Sequence, residues 1–267
     1  MKIQLNYTLF LKYILKLTCV FALVFIHRQG YANDNYYEDV FEKANVEYAN
    51  GNFNEALKFY NEILDAGFYS PNVYFNVGNT YFKLQRIPES ILYFEKALHT
   101  DPSHADARFN LAIANQQITD KINAIPEIAL QRWFREFLYT FSADTWAWIT
   151  VCLFWMAVLT ILLYRFSGRL LLQKIYFFNA SLFFILFLGS LILGIQLNKV
   201  QKQSRFAIVF DTKASVKSEP SQQSTTLFVV HEGLKVRLNE EVNNWFKVEL
   251  PDGNIGWVQQ SAVERIN

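Results

Sequence analysis

The stretch PNVYFNVGNTYFKLQRIPESILYFEKALHTDPSH, residues 71–104, decides the reading of the N-terminal half. Within it Tyr74, Val77, Gly78 and Tyr81 mark one helical face, and Ser90, Phe94 and Ala97 mark a second before Pro102. Small Gly78 and Ala97 let two antiparallel helices approach closely. Pro102 ends the second helix, because proline lacks a backbone donor and clashes with the preceding turn. The same frame stands one step earlier, in residues 37–70, as Val40, Ala44, Tyr48, Gly51, Phe53, Ala56, Tyr60 and Ile63. A third unit starts at Ala105 with Arg108-Phe109-Asn110-Leu111-Ala112, supplies one helix, and reads as a cap.

This frame, with a period of about 34 residues, resembles tetratricopeptide repeats, and it predicts an all-α repeat solenoid over 37–119. Ser90 replaces the usual Ala, Ala44 stands where Gly is common, and Gly67-Phe68-Tyr69-Ser70 lengthens the turn before Pro71. The resemblance implies that the first helix of each pair lines a concave groove. Its positions are Phe41, Asn45 and Tyr48 in the first repeat and Phe75, Asn76, Asn79, Phe82 and Lys83 in the second, followed by Phe109 and Ile113. Asparagine amides there hold a peptide backbone and aromatic rings supply apolar contact. The competing reading has these side chains filling the stack between repeats. One branch of the family clamps a ligand carboxylate with two Asn and several cations. Asn45 and Asn76 fit the Asn positions, but Phe41, Asp106 and Asn110 occupy the cationic ones, so no carboxylate clamp is expected.

Hydrophobic residues make up 52% of the 267 and charged residues 18%, below the roughly 25% charge of soluble domains, which points to membrane-embedded segments. The net charge of +1 gives no whole-chain attraction to nucleic acid, and no nucleic-acid partner is expected. Charge is uneven: residues 33–120 carry 13 acids and 6 bases, a net of −7, whereas 121–267 carry 15 bases and 11 acids, a net of +4.

Residues 145–164 and 175–197 are uncharged runs of 20 and 23 residues. At ~1.5 Å per residue each spans a ~30 Å hydrocarbon core, so both are predicted transmembrane helices. Arg165, Arg169 and Lys174 between them favour a cytoplasmic loop, although Arg132, Arg135, Lys199, Lys202 and Arg205 flank the other ends. At the N-terminus Lys2, Lys12 and Lys16 precede the apolar run Leu17 to Ile26 and then Gly30-Tyr31-Ala32. This reads as a signal peptide over 1–32 cut after Ala32, with an uncleaved anchor as the alternative. Lipidation at Cys19 is not expected, because Thr18 is too large before it. Cut or retained, the signal exports the residues after Ala32, and the hairpin of spans returns the C-terminus to the same side. Both soluble regions are therefore expected in the periplasm of a bacterial inner-membrane protein.

The uncharged spans disfavour transport, and Ser190 with Gly194 offers a small-residue helix interface. In residues 126–142, Leu130, Trp133, Phe134, Phe137, Leu138 and Phe141 recur at helical spacing with Arg132, Arg135 and Glu136 elsewhere on the wheel. The spacing predicts an amphipathic helix, either lying on membrane lipid or packing on the preceding domain.

After Arg205 the pattern turns to five short β runs: 207–210, 226–230, 234–238, 245–250 and 255–258. Val216-Lys217-Ser218-Glu219-Pro220-Ser221, His231-Glu232-Gly233, Asn244-Trp245-Phe246-Lys247-Val248 and Asp252-Gly253-Asn254-Ile255-Gly256-Trp257-Val258, in that order, resemble a bacterial SH3-like domain. The resemblance predicts a small all-β barrel over 204–267. Trp245 and Trp257 are the candidate ligand surface, for peptide or for peptidoglycan, or else they pack the core and rim.

No catalytic residues, metal or cofactor are expected. His27, His99, His104 and His231 read as surface or capping residues, no phosphate loop or nucleophile elbow occurs, and Cys19 and Cys152 lie in apolar runs. The complete order of signal, repeats, paired spans and barrel resembles the BatE proteins of the Bacteroides aerotolerance operon. That resemblance implies an inner-membrane protein working with other Bat proteins that bear von Willebrand A-type domains, in oxygen tolerance or envelope stress. The expected function is a non-enzymatic scaffold or adaptor, with a cell-wall sensor as the alternative.

Overall fold

The computed structural model describes residues 34–122, 125, 128–203 and 205–266. The signal reading over 1–32, His27 and Cys19 lie outside these residues. Five helices come first: α1 (Asp34–Ala49), α2 (Phe53–Asp65), α3 (Pro71–Lys83), α4 (Ile87–Thr100) and α5 (Ala105–Ala114). Helix starts obey local chemistry. Ser70 accepts the Val73 amide at 3.2 Å with Pro71 in the first turn, and His104 Nδ1 accepts the Ala107 amide at 3.2 Å. The turns use positive φ where a side chain is disfavoured, at Gly51 (+81°) and Gly67 (+85°).

Packing explains the small residues of the repeat frame. A Cβ on Gly78 would stand 2.7 Å from Phe94 Cδ1, so only glycine admits this crossing of α3 and α4. Ser90, in place of the usual Ala, is fully buried and donates to the Gly78 carbonyl at 2.9 Å, which satisfies its hydroxyl. The first core gathers Val40, Ala44, Ala56, Tyr60, Ile63 and Val77.

Helix α6 (Ala129–Leu138) is shorter than the predicted 126–142. It ends at Tyr139, and Phe141 falls in the connection to α7 (Ala143–Phe166), whose first turn is capped by Ser142. Helix α8 runs over Leu170–Gln203. Both α7 and α8 are long and apolar enough to cross a membrane. They form an antiparallel hairpin closed by residues 167–169, with Trp146 beside Gly194 and Phe154 beside Phe187. Thr150 and Ser190 join at 2.9 Å between the helices, each also bonded to a carbonyl of its own helix, so the buried polar atoms are satisfied. Arg165 and Lys174 extend the helices rather than the loop.

Seven strands rather than five complete the chain: β1 (Phe206–Val209), β2 (Ala214–Lys217), β3 (Thr226–Val230), β4 (Lys235–Val242), β5 (Trp245–Glu249), β6 (Ile255–Gln259) and β7 (Val263–Arg265). The antiparallel order is β3-β2-β6-β5-β4-β1-β7. Both edge strands share one core with the middle ones, through Val230 and Val263 beside Val216, Val236, Phe246 and Val258, so the sheet is curled. Gly233 and Gly253, both at φ +87°, make the turns read from the sequence.

The repeat lobe and the barrel dock on each other. Ile91 and Leu92 of α4, with Leu111 and Ala114 of α5, form one core with Ile208 and Ile266 of the barrel. After α5 the chain meets the barrel again: Ile122 packs on its core, and the Ile125 amide donates to the Pro251 carbonyl at 3.1 Å.

Candidate functional site

Helices α1, α3 and α5 lie side by side and share a ladder of asparagines. Asn76 Nδ2 donates to Asn45 Oδ1 at 3.0 Å, and Asn110 Nδ2 donates to Asn79 Oδ1 at 2.7 Å. The second bond is the first moved one repeat along the chain. Asn45 Oδ1 also accepts the Tyr60 hydroxyl at 2.7 Å. Burial pushes that phenol up to about 12, so it stays a neutral donor.

Beside the ladder opens a cleft of about 270 Å³. Tyr48 enters from α1, Asn79, Phe82 and Lys83 from α3, and Asn110 and Ile113 from α5, with Phe94 as the floor. Five of the residues read from sequence, Tyr48, Asn79, Phe82, Lys83 and Ile113, are thus brought together. Phe109 is 67% exposed on α5. Phe41 lines a separate depression of about 420 Å³ with Tyr37, Phe68 and Tyr69. Phe75 lies 4.9 Å from the His104 ring and 6.0 Å from the Phe94 ring, in the stack between repeats. Asn45 and Asn76 spend one polar atom each on the ladder. Asn110, set aside in the sequence as a departure from the carboxylate-clamping pattern, is a groove residue, and its spacing from Asn79, equal to that of Asn76 from Asn45, carries the signal.

The barrel takes the opposite flank of the repeats. Lys235 of β4 pairs with Glu95 of α4 at 2.6 Å, and Asp120 accepts both the amide (2.6 Å) and Nδ1 (2.8 Å) of His231. His231 is therefore an inter-lobe residue rather than a surface one. A Cβ on Gly233 would come within 2.5 Å of Ile118, so this turn fits against the repeat lobe only as glycine. Glu264 of β7 faces Lys96, whose pKa burial lowers and Glu264 raises. The repeat cleft is left open.

Trp245 and Trp257 stand on one face of the β5–β6 pair, since Trp245 is opposite Gln259 and Trp257 opposite Lys247. They differ in use. Trp245 is only 8% exposed, whereas Trp257 is half-buried with Lys247 Nζ 5.9 Å from its ring centre. Among the described residues no three His, Cys, Asp or Glu side chains converge as metal ligands.

Comparison with known families agrees with this architecture. Residues 71–104 match the tetratricopeptide repeat and residues 212–264 match the bacterial SH3 domain. The chain thus combines a repeat domain of the kind that binds proteins with a bacterial SH3-type barrel, both typically non-catalytic. No curated protein matches the chain.

Proposed function

We propose that this protein is a non-enzymatic, membrane-anchored adaptor that holds a segment of another protein in its repeat cleft. The observation that carries this is the division of the repeat lobe: the barrel covers α4, while the cleft across α1, α3 and α5 stays open. Its aromatic and aliphatic wall suits an apolar anchor of the bound segment, and the amides beside it suit that segment's backbone. The α7–α8 hairpin anchors the molecule in a bacterial inner membrane, with both lobes in the periplasm. Docking of the lobes supports their lying on one side, because their contact requires an even number of crossings between them, and the signal-like N-terminal sequence supports the periplasmic side. In keeping with the resemblance of the whole chain to BatE proteins, the held partner is a Bat protein with a von Willebrand A-type domain, in an assembly serving aerotolerance or envelope stress.

Photo-crosslinking from position 83 or 109 of the full chain in membranes tests the reading. A partner bearing such a domain is expected, and it is lost in Phe82→Ala. Recovery of no specific protein from either position overturns it. The second reading, peptidoglycan binding, is favoured by Trp257 on the outer face of a bacterial SH3-type barrel. Co-sedimentation of the detergent-solubilised chain with purified wall, abolished by Trp257→Ala, supports it, and absence of co-sedimentation removes it.

A further inference from the structure

Where the two lobes meet the hairpin, three parts of the chain enclose a trench. One end, about 240 Å³, is lined by Leu98, Pro102, Phe206 and Ile266, with Arg108 and Tyr139 at its side. The other end, about 490 Å³, is lined by Ser103, Arg135, Glu136 and Thr140, again with Arg108 and Tyr139. The shared pair makes these two ends of one space, whose inner end Glu95, His99 and Lys235 also line, and Arg108 donates one guanidinium N–H to the Pro102 carbonyl.

Its level is fixed by Leu138, the neighbour of Tyr139. Leu138 is buried with Trp146 and Leu197, at the start of α7 and near the end of α8, and its carbonyl accepts Trp146 Nε1 at 3.1 Å. The trench therefore opens where the apolar hairpin emerges. Leu130 and Trp133 of α6, 71% and 62% exposed, extend the apolar surface alongside. Charge singles out the spot. Arg108 is one of only 6 bases among residues 33–120, which carry 13 acids. Arg135 comes from α6, and its guanidinium lies near enough to the Tyr139 phenol to oppose the rise that burial causes there. Of the two carboxylates lining the trench, Glu95 is engaged by Lys235 at 2.6 Å, and Glu136 lies at the outer end.

We infer that this trench binds the phosphate of an anionic phospholipid headgroup, with Arg108 and Arg135 as the phosphate ligands. Guanidinium forks match phosphate oxygens and the apolar surface of α6 receives the acyl chains, while the Ser103 and Thr140 hydroxyls donate to Asp101 and to the Glu136 carbonyl. The inference rests on the membrane-anchored reading, which carbonate extraction of membranes checks separately: release of the chain without detergent would refute the anchor itself.

The test is lipid retention by the full chain in detergent, read by native mass spectrometry with phosphatidylglycerol, phosphatidylcholine and inorganic phosphate as probes. Phosphatidylglycerol is expected to be retained in preference to phosphatidylcholine. Arg108→Gln with Arg135→Gln lowers that retention about tenfold, Glu136→Lys raises it, and Lys58→Gln on the distant α2 leaves it unchanged. Equal retention of both lipids overturns the proposal. So does insensitivity to the paired Arg variants and to Glu136→Lys, or saturation by inorganic phosphate without lipid preference.

Discussion

Asp120 receives two hydrogen bonds from His231, one from the backbone amide at 2.6 Å and one from the ring at 2.8 Å, across 111 positions of sequence. The end of the repeat lobe and a turn of the barrel are thereby clasped by a single carboxylate. The clasp sits next to Ile118, which fits against Gly233 of the same turn. Polar and apolar contacts thus fix one orientation of the two lobes.

Removing the carboxylate should cost more than removing the ring, because the His231 amide keeps its need for an acceptor. Asp120→Ala is expected to destabilise the docked chain by about 1–3 kcal/mol, and His231→Ala by less. Chemical denaturation of the detergent-solubilised protein measures both. Equal costs would mean that the amide bond contributes nothing.

Gly78 gives a sharper steric test. With Phe94 Cδ1 2.7 Å from the place of a Cβ, Gly78→Ala should destabilise the repeat lobe by about 1–3 kcal/mol through overpacking. Gly168, with open space around it, should tolerate alanine. Thermal melting of the two variants makes the comparison.

His99 faces Lys235 of β4 and Glu95 of its own helix, with Arg108 and Tyr139 lining the same space. Burial lowers its pKa below the ordinary 6.5, Lys235 lowers it further, and Glu95 opposes both. The folded chain therefore binds fewer protons at this ring than the unfolded chain, and the native state loses stability as pH falls through about 6.5 toward the folded value. Melting temperatures between pH 7.5 and 5 should fall less steeply in His99→Gln than in the unaltered protein. Identical slopes would contradict this assignment.

Between the long helices, Thr150 and Ser190 form a hydrogen bond whose coupling should be modest, about 0.6 kcal/mol. A double-mutant cycle with Thr150→Val and Ser190→Ala, read by unfolding in mixed detergent, measures it. A coupling of zero would show that the close approach at Gly194 alone holds the pair.

The repeat frame was legible because helix crossings need Gly78, Ala44, Ala56 and Ala97 at fixed spacings, and the turns need Gly51 and Gly67. Strands β2 and β7 were not read from the sequence. They have four and three residues, and their outward positions carry Ser215, Lys217 and Glu264, so no apolar run announces them. The barrel was nevertheless identifiable from its turns. Within the groove, residue type alone did not separate cleft-lining from stack-filling positions. Phe82 lines the cleft, while Phe75, two turns earlier on the same face of the helix, packs on Phe94 and His104.

Lobe docking was invisible for a different reason. Glu95 meets Lys235 across 140 positions, and a pair so distant leaves no local pattern. One clue was present: Ile118, Ile122 and Ile125 recur in a segment that otherwise reads as a connection, and all three pack on barrel residues or turns.

The proposed placement of both lobes on one side of a membrane is tested most directly by joining Glu95→Cys to Lys235→Cys, with Cys19 and Cys152 replaced by serine. In right-side-out membrane vesicles, a short membrane-impermeant bis-maleimide is expected to link the two positions, and to do so without opening the vesicles. Labelling of one cysteine only after the vesicles are opened, with no link formed, would contradict the account.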